Sequence, residues 1–337
     1  MSSSDAIRIG FIGVGGRARS HLRAVSAVDG AEIVAVADID GARARAVAED
    51  HGVSAYESAA EMLDAQTLDA VWIVTPPAFH REPFVEAAER GVHVYVEKPV
   101  ALNMTDALAM EEAADRAGIL AAVSYQIRYL DTVAEVNRTF ESKDLALLNA
   151  HYYWQSPGRW ALDTALSGGQ IVEQATHLAD LMRYWAGDVE TVHAAYALRA
   201  HKGDEDFRTW DANTVNLVFA SGAVGSLAST YALFAGVPQN VRIDLIAGGL
   251  YARFTYQDLH VYAQGQSRSM DAAVQPDVAA STAFIHAIRT GDSTGILTPL
   301  ADSNRTLAVT LAANESAVTG QPVNVNDFID MHSPSGD

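Results

Sequence analysis

The first 125 residues alternate short apolar runs with amphipathic helical stretches, and this alternation constrains the fold more than any other feature of the chain. IRIGFIG (7–13), EIVAVAD (32–38), DAVWIVT (69–75), VHVYVE (92–97) and ILAAVS (119–124) read as strands. Helical patterns run to about Val28, then over Gly41–His51, Phe79–Arg90 and Asn103–Ala117, with Gly118 as a C-cap. Strands that are apolar throughout are buried on both faces. Interleaved with helices, they imply a parallel sheet covered on each side, in which ligands bind beyond the carboxyl ends of the strands.

The first of those ends reads G-V-G-G-R-A, Gly13 to Ala18. It fits G-x-G-x-x-[G/A]. Gly13 permits the tight turn, Gly15 lets a pyrophosphate approach the backbone, and Ala18 keeps the helix close to the sheet. The helix start offers free N–H groups to phosphate. Because the fingerprint follows a strand, opens a helix and begins a β-α series, a dinucleotide-binding domain is expected. Asp38 closes the second strand. An acid there accepts hydrogen bonds from ribose hydroxyls and repels a 2′-phosphate, which favours NAD over NADP. Arg17 and Arg43 could instead serve a phosphate. Asp38 could also cap the next helix, for which Asp40 is an equal candidate. In TPPAFH (75–80) two prolines force an extended exit. Thr75 and Pro76 could line the cofactor groove there, while His80 could reach the nicotinamide side or start a helix at the surface. Lys98 ends the fourth run, between Glu97 and Pro99, although a lysine is rarely buried without a partner.

After Ser124 the pattern changes. A helix is expected over 130–142, a strand over 146–154, and a long helix in GGQIVEQATHLADLMRYWAG (168–187). Runs at 191–200, 213–220, 223–233, 241–247, 250–256 and 259–265 then follow as strands without intervening helices, the mark of a largely antiparallel sheet. Helices near 277–290 and 302–318 complete the chain, and MHSPSGD reads as a frayed tail. The expected fold is α/β: a Rossmann domain over 1–125, then an α+β domain over 126–337, with the helix 302–318 placed to return to the first domain. On the long helix Glu173, His177 and Asp180 fall at i, i+4 and i+7 and share a face. Val172, Ala175, Thr176 and Ala179 around them are apolar or small, so the polar stripe points at partners or a ligand. Two ligands without a third do not make a metal site, and none is expected.

Composition narrows the function. The chain has no cysteine, which excludes disulfides, thiolate metal sites and a cysteine nucleophile. Its net charge of −19 repels nucleic acid and anionic membranes. No apolar run reaches membrane-spanning length, and MSSSDAIRIG shows no secretory pattern, so a cytoplasmic protein is expected.

Together GFIGVGGRARSHL (10–22), VEKP (96–99), SGGQIVEQATHLADLMRYWAG (167–187) and DSNRTLAVTLAANESAVTGQPV (302–323) resemble the Gfo/Idh/MocA family of oxidoreductases over nearly the whole chain. The resemblance implies a Rossmann domain followed by a domain with an open, mainly antiparallel sheet, and a homodimer or homotetramer joined through that sheet. It implies NAD-dependent oxidation or reduction of a sugar, inositol or related polyol. Gly13, Gly15, Gly16, Arg17, Ala18, Asp38, Thr75, Pro76, His80, Glu97 and Lys98 would hold the cofactor. Lys98 would sit beside the nicotinamide and the reacting carbinol, on a Lys98–Pro99 bond that can be cis. The family's D-x-x-x-H falls on Glu173 and His177, so His177 becomes the general base, assisted by Lys98. Glutamate in place of aspartate moves the carboxylate by roughly 1 Å, and puts the substrate's identity in doubt more than the reaction. Tyr125, Gln126, Arg128, Tyr153, Trp154, Arg159 and Trp160 are further pocket candidates, the aromatics through stacking on sugar C–H surfaces and the arginines through hydroxyls or carboxylates. Two other readings keep the cofactor: a glycosidase or lyase using tightly bound NAD for transient oxidation, and a non-enzymatic NAD-responsive binding protein.

Overall fold

The computed structural model describes residues 6–156 and 158–333. The end of the expected frayed tail, 334–337, lies outside them. In chain order the strands are β1 (Ile7–Ile12), β2 (Ala31–Ala37), β3 (Ser54–Tyr56), β4 (Ala70–Ile73), β5 (His93–Val96), β6 (Ala121–Val123), β7 (Leu145–Tyr153), β8 (Val189–Ala197), β9 (Ala212–Phe219), β10 (Val224–Thr230), β11 (Asn240–Ala247), β12 (Leu250–Phe254), β13 (Asp258–Ala263), β14 (Gln266–Asp271) and β15 (Val323–Asn324). The α-helices are α1 (Ala18–Ser26), α2 (Gly41–His51), α3 (Ala59–Ala65), α4 (Arg81–Glu89), α5 (Met104–Ala117), α6 (Asp131–Phe140), α7 (Thr164–Ser167), α8 (Gln170–Glu173), α9 (Thr176–Ala186), α10 (Pro276–Thr290), α11 (Leu300–Thr319) and α12 (Val325–Asp330).

The chain forms two units. The first runs through Ala101 and adds Asp106–Tyr129 and Gln275–Ser303. Its six strands are all parallel, in the order β3-β2-β1-β4-β5-β6. The order reverses direction at β1, which places the carboxyl ends of β1, β2, β4 and β5 around one crevice. The unit's core, mostly aliphatic, holds an aromatic cluster. Trp72 on β4 stacks on Tyr95 at 5.3 Å, and both meet Phe284 of α10 edge-on at 5.6 Å. The late helix α10 thus belongs to this unit's core. Asp40 caps α2 through Arg43 N, and Gly118 ends α5 at φ +66°. The sequence reading passed over β3 and α3, which are three and seven residues long. Elements that short fall below the length over which periodicity is legible, and they form against neighbours.

The second unit comprises Leu102–Thr105, Leu130–Val274 and the chain from Asn304 on. Its nine-stranded sheet has the order β14-β13-β12-β11-β7-β10-β9-β8-β15. Every pairing is antiparallel except β7 with β10. Val215, Leu217 and Phe219 are buried, while Thr214, Asn216 and Val218 between them are exposed. One sheet face is therefore apolar and covered. The other carries exposed Val218, Val224, Ile246 and Tyr262. Strand β14, QSRSMD, was not expected, because it joins the sheet edge by backbone pairing and has no apolar alternation.

The expected long helix 168–187 is two helices. α8 ends at Glu173, and the chain turns through Gln174 and Ala175 before α9 begins. Gln170, Gln174 and Asn213 explain the break. Asn213 Nδ2 donates to Gln170 Oε1 (3.2 Å), Gln170 Nε2 to Gln174 Oε1 (3.2 Å), and Gln174 Nε2 to the Gln155 carbonyl (3.3 Å). A buried amide ladder holds the turn.

Candidate active site

In the first unit the glycine turn has the shape its residues imply. Gly13 has φ +84°, and a Cβ there would stand 2.9 Å from Thr75 N and Val74 C. Only glycine fits. A Cβ added at Gly16 would meet nothing within 4 Å, and one at Gly15 only Arg43 Nη1, at 3.9 Å. The outer side of the turn is open to a phosphate-bearing ligand, and Ala18 behind it is fully buried. Asp38 is 8% exposed at the end of β2. It accepts from Val14 N (2.9 Å) and Asp40 N (2.9 Å), and Arg43 Nη1 reaches it at 3.4 Å. It is therefore not the cap of α2. It ties the glycine turn to β2. These features fit a dinucleotide.

Three expected cofactor contacts are placed differently. His80 is fully buried, with Nδ1 2.9 Å from the Val100 carbonyl and Nε2 2.8 Å from the Thr75 carbonyl. Burial lowers its pKa, outweighing the two carbonyls that would raise it. Its ring joins two loops and does not extend a nitrogen toward a ligand. Arg17, in the phosphate turn, donates Nε to Glu97 (2.7 Å) and forks Nη1 and Nη2 onto Asp277 (3.0 and 2.7 Å). Glu97 is committed in turn, to Arg17, to His21 Nε2 (2.6 Å) and to the backbone N–H of Lys98 (3.0 Å). Thr75 Oγ1 donates to the Phe79 carbonyl, and Pro76 beside it is exposed. Lys98 is half-buried, and its bond to Pro99 is cis.

Burial alone would raise the Glu97 pKa. Arg17, His21 and Lys98 outweigh it and hold the carboxyl well below its ordinary 4.5. The unfolded chain therefore takes up a proton near pH 4.5 that the folded chain refuses. This contribution to stability is complete above pH 4.5 and falls as pH drops below it, by up to about 1.4 kcal/mol per pH unit. Urea midpoints measured from pH 6 to 3 should show the gap between the native chain and Glu97→Gln closing below 4.5.

In the second unit Glu173, His177 and Asp180 are all buried, at 6, 9 and 1% exposure. The Tyr231 hydroxyl donates to Glu173 Oε2 at 3.3 Å. Burial, and then the Glu173 charge, push the Tyr231 pKa well above its usual value, so the phenol keeps its proton. Asp180 accepts from Thr306 Oγ1 (3.0 Å), which itself accepts from Arg183 Nη1 (2.9 Å). Asp180 thus ties α9 to α11. No group of side chains with metal-ligand geometry occurs among the described residues.

Of the pocket candidates, Arg128 is not presented to a ligand. It is 4% exposed, its Nη1 donates to the Leu297 carbonyl (2.8 Å), and it is ion-paired with Asp302 (2.7 Å). Tyr125 is fully buried, and Gln126 half-buried. Arg159 is exposed and paired with Asp206, and Trp160 is 38% exposed. Trp154 is half-buried. Tyr153 stacks on His151 and lines a concavity of about 410 Å³ on the open sheet face, with Tyr196, Asn213 and several alanines. The sequence reading missed Tyr231, His21 and Asp277. His21 stands one helical turn from Arg17 and was discoverable; nothing local marks Asp277 or Tyr231.

The sequence model of the oxidoreductase family with an NAD-binding Rossmann fold (GFO_IDH_MocA) matches residues 7–125, and that of the GFO/IDH/MocA C-terminal domain matches 144–250. The chain is 30% identical over 282 residues to D-apiose dehydrogenase of Paraburkholderia graminis, covering 79% of this chain and 72% of that one. It is 26% identical over 336 residues to scyllo-inositol 2-dehydrogenase (NAD(+)) of Bacillus subtilis, covering 95 and 96%. The fold matches that of levoglucosan dehydrogenase, solved in complex with NADH, with a TM-score of 0.87 and 21% identity over 95% of this chain and 99% of that one.

Proposed function

We propose that this chain, which belongs to the Gfo/Idh/MocA oxidoreductase family, acts in the cytoplasm on a sugar, inositol or related polyol at a carbinol carbon. The NAD-binding Rossmann domain would hold NAD, whose nicotinamide would supply hydride acceptance or donation. Gly13, Gly15, Gly16 and the start of α1 cradle the pyrophosphate. Asp38 takes the ribose hydroxyls and disfavours a 2′-phosphate. Thr75 and Pro76 edge the groove. His177 accepts the hydroxyl proton, because imidazole exchanges protons near neutral pH. The Lys98 ammonium polarises the hydroxyl oxygen and relays the proton. Glu173, held by Tyr231, orients His177 or meets a substrate hydroxyl. Gln126, Trp154, Arg159 and Trp160 are proposed for the rest of the polyol, whereas Tyr153 lies on the open sheet face.

One observation carries this reading. An acid, Glu173, and an imidazole, His177, are buried four residues apart, in a chain with an NAD-type glycine turn. Burying such groups is costly, and apolar residues would serve packing better. The test is nicotinamide reduction with a panel of inositols, aldoses, anhydrosugars and sugar acids, and nicotinamide oxidation with the matching ketosugars. Turnover of one polyol class is expected. Cofactor binding without turnover in either direction would defeat the proposal.

Cofactor choice has its own test. Asp38→Asn keeps an acceptor for Val14 N and removes the charge. The ratio of NADPH to NADH dissociation constants, read by fluorescence titration, should narrow by about tenfold, the worth of one charged hydrogen bond.

We assign the open sheet face to self-association as a homodimer or homotetramer. Val218 and Val224 are cross-strand neighbours, 42 and 46% exposed. Light scattering should find two or four times the 36.0 kDa chain mass. Val218→Asp with Val224→Asp should return the single-chain mass.

A further inference from the structure

The Arg17–Glu97 pair stands where the glycine turn meets the Lys98 segment, yet its groups are turned on each other. Arg17 uses Nε on Glu97 and both terminal nitrogens on Asp277, at 2.7 to 3.0 Å. Its guanidinium is thus a bridge between two carboxylates, not a hand held out to phosphate. Glu97 is 6% exposed. One of its oxygens takes Arg17 Nε and His21 Nε2; the other takes the backbone N–H of Lys98. His21 is 1% exposed and set edge-on against Tyr95, so it cannot swing away. Every one of these bonds lies within the first unit.

We infer that Glu97 is a positioning residue for Lys98, held by Arg17 and His21 and backed by Asp277. A backbone N–H bonded to a buried, charged acceptor is among the stronger hydrogen bonds a protein makes. It fixes the segment from which the Lys98 side chain leaves. Because Arg17 belongs to the glycine turn, the same carboxylate ties that turn to the lysine. Asp277, on the first turn of α10, takes both terminal nitrogens of Arg17 and holds the fork. The inference rests on the reading of Lys98 as the proton-relaying lysine, but its test does not.

The chain contains three lysines: Lys98, Lys143 and Lys202. Reductive methylation with ¹³C-formaldehyde therefore gives three lysine dimethylamino resonances and that of the α-amino group. Lys98→Arg assigns the first. Spectra of the full chain, with and without saturating NADH, would be compared for the native protein, Glu97→Gln and Asp277→Asn. In Glu97→Gln the Lys98 resonance should move toward those of Lys143 and Lys202 in both states, while NADH affinity stays within about threefold. Asp277→Asn, at a more exposed position, should move it the same way by less. A Lys98 resonance that stays in place in both variants overturns the inference. So does one that moves only with NADH present, or a loss of NADH affinity beyond tenfold with the resonance unmoved. Full polyol turnover by Lys98→Ala would remove the relay and leave this placement standing; an unmoved resonance would do the reverse.

Discussion

Lys98→Ala and His177→Ala each lower kcat by about 10²–10⁴, the range measured when a positioned proton-transfer group is removed. NADH affinity stays within about threefold in both. The expected loss is in kcat because, in the mechanism proposed above, these groups act on the hydroxyl proton, whose transfer belongs to the transition state. Steady-state rates on the polyol identified by the panel, beside NADH titrations, would check it. The double variant should lose little more than the worse single one, since groups serving one proton path are not additive. Multiplied losses would mean that the two residues act in separate steps. A His177→Ala enzyme with native kcat would remove the imidazole from the chemistry, and Glu173 would be the next base to test.

Gly13→Ala is the largest stability change expected in the glycine turn, about 3 kcal/mol. Two costs combine. A side chain at φ +84° is strained, and its Cβ would stand 2.9 Å from the backbone at Thr75 and Val74, which cannot shift as a flexible side chain can. Urea denaturation should show the loss, and NADH binding should weaken with it as the turn moves. Gly16→Ala is the control. No atom lies within 4 Å of its Cβ position, so its stability should match the native chain. Equal losses at both positions would mean that glycine is needed there for chain flexibility and not for fit.

Much of the architecture is legible along the chain. Uniformly apolar runs imply β1, β2, β4, β5 and β6 because strands buried on both faces have no polar side to show. The alternation of Val215, Leu217 and Phe219 likewise marks a sheet with one covered face. The helix break at Gln174 and Ala175 was not legible. The stretch keeps a helical pattern throughout, and the Asn213 amide and the Gln155 carbonyl, which engage Gln170 and Gln174 at the turn, lie outside it. Glu173 and His177 were singled out by an i, i+4 spacing on one expected helix, yet the break falls between them: Glu173 ends α8 and His177 lies on α9, and both are buried.

The sequence by itself determined which residues are chemically equipped: a glycine turn that only glycine can make, an acid at the end of β2, a lysine at the end of β5, an acid and an imidazole four residues apart. These depend on local backbone and spacing, which are properties of neighbouring residues. Only the tertiary structure decided what each charged group is paired with. Arg17 reads locally as a phosphate ligand, yet Asp277, 260 residues later in the chain, takes its fork and Glu97 its Nε. Arg128 reads as a pocket residue and is spent on Leu297 and Asp302. A buried charge must find a partner. That partner can stand anywhere in the chain, because it is selected by proximity in the folded core and leaves no trace in local pattern.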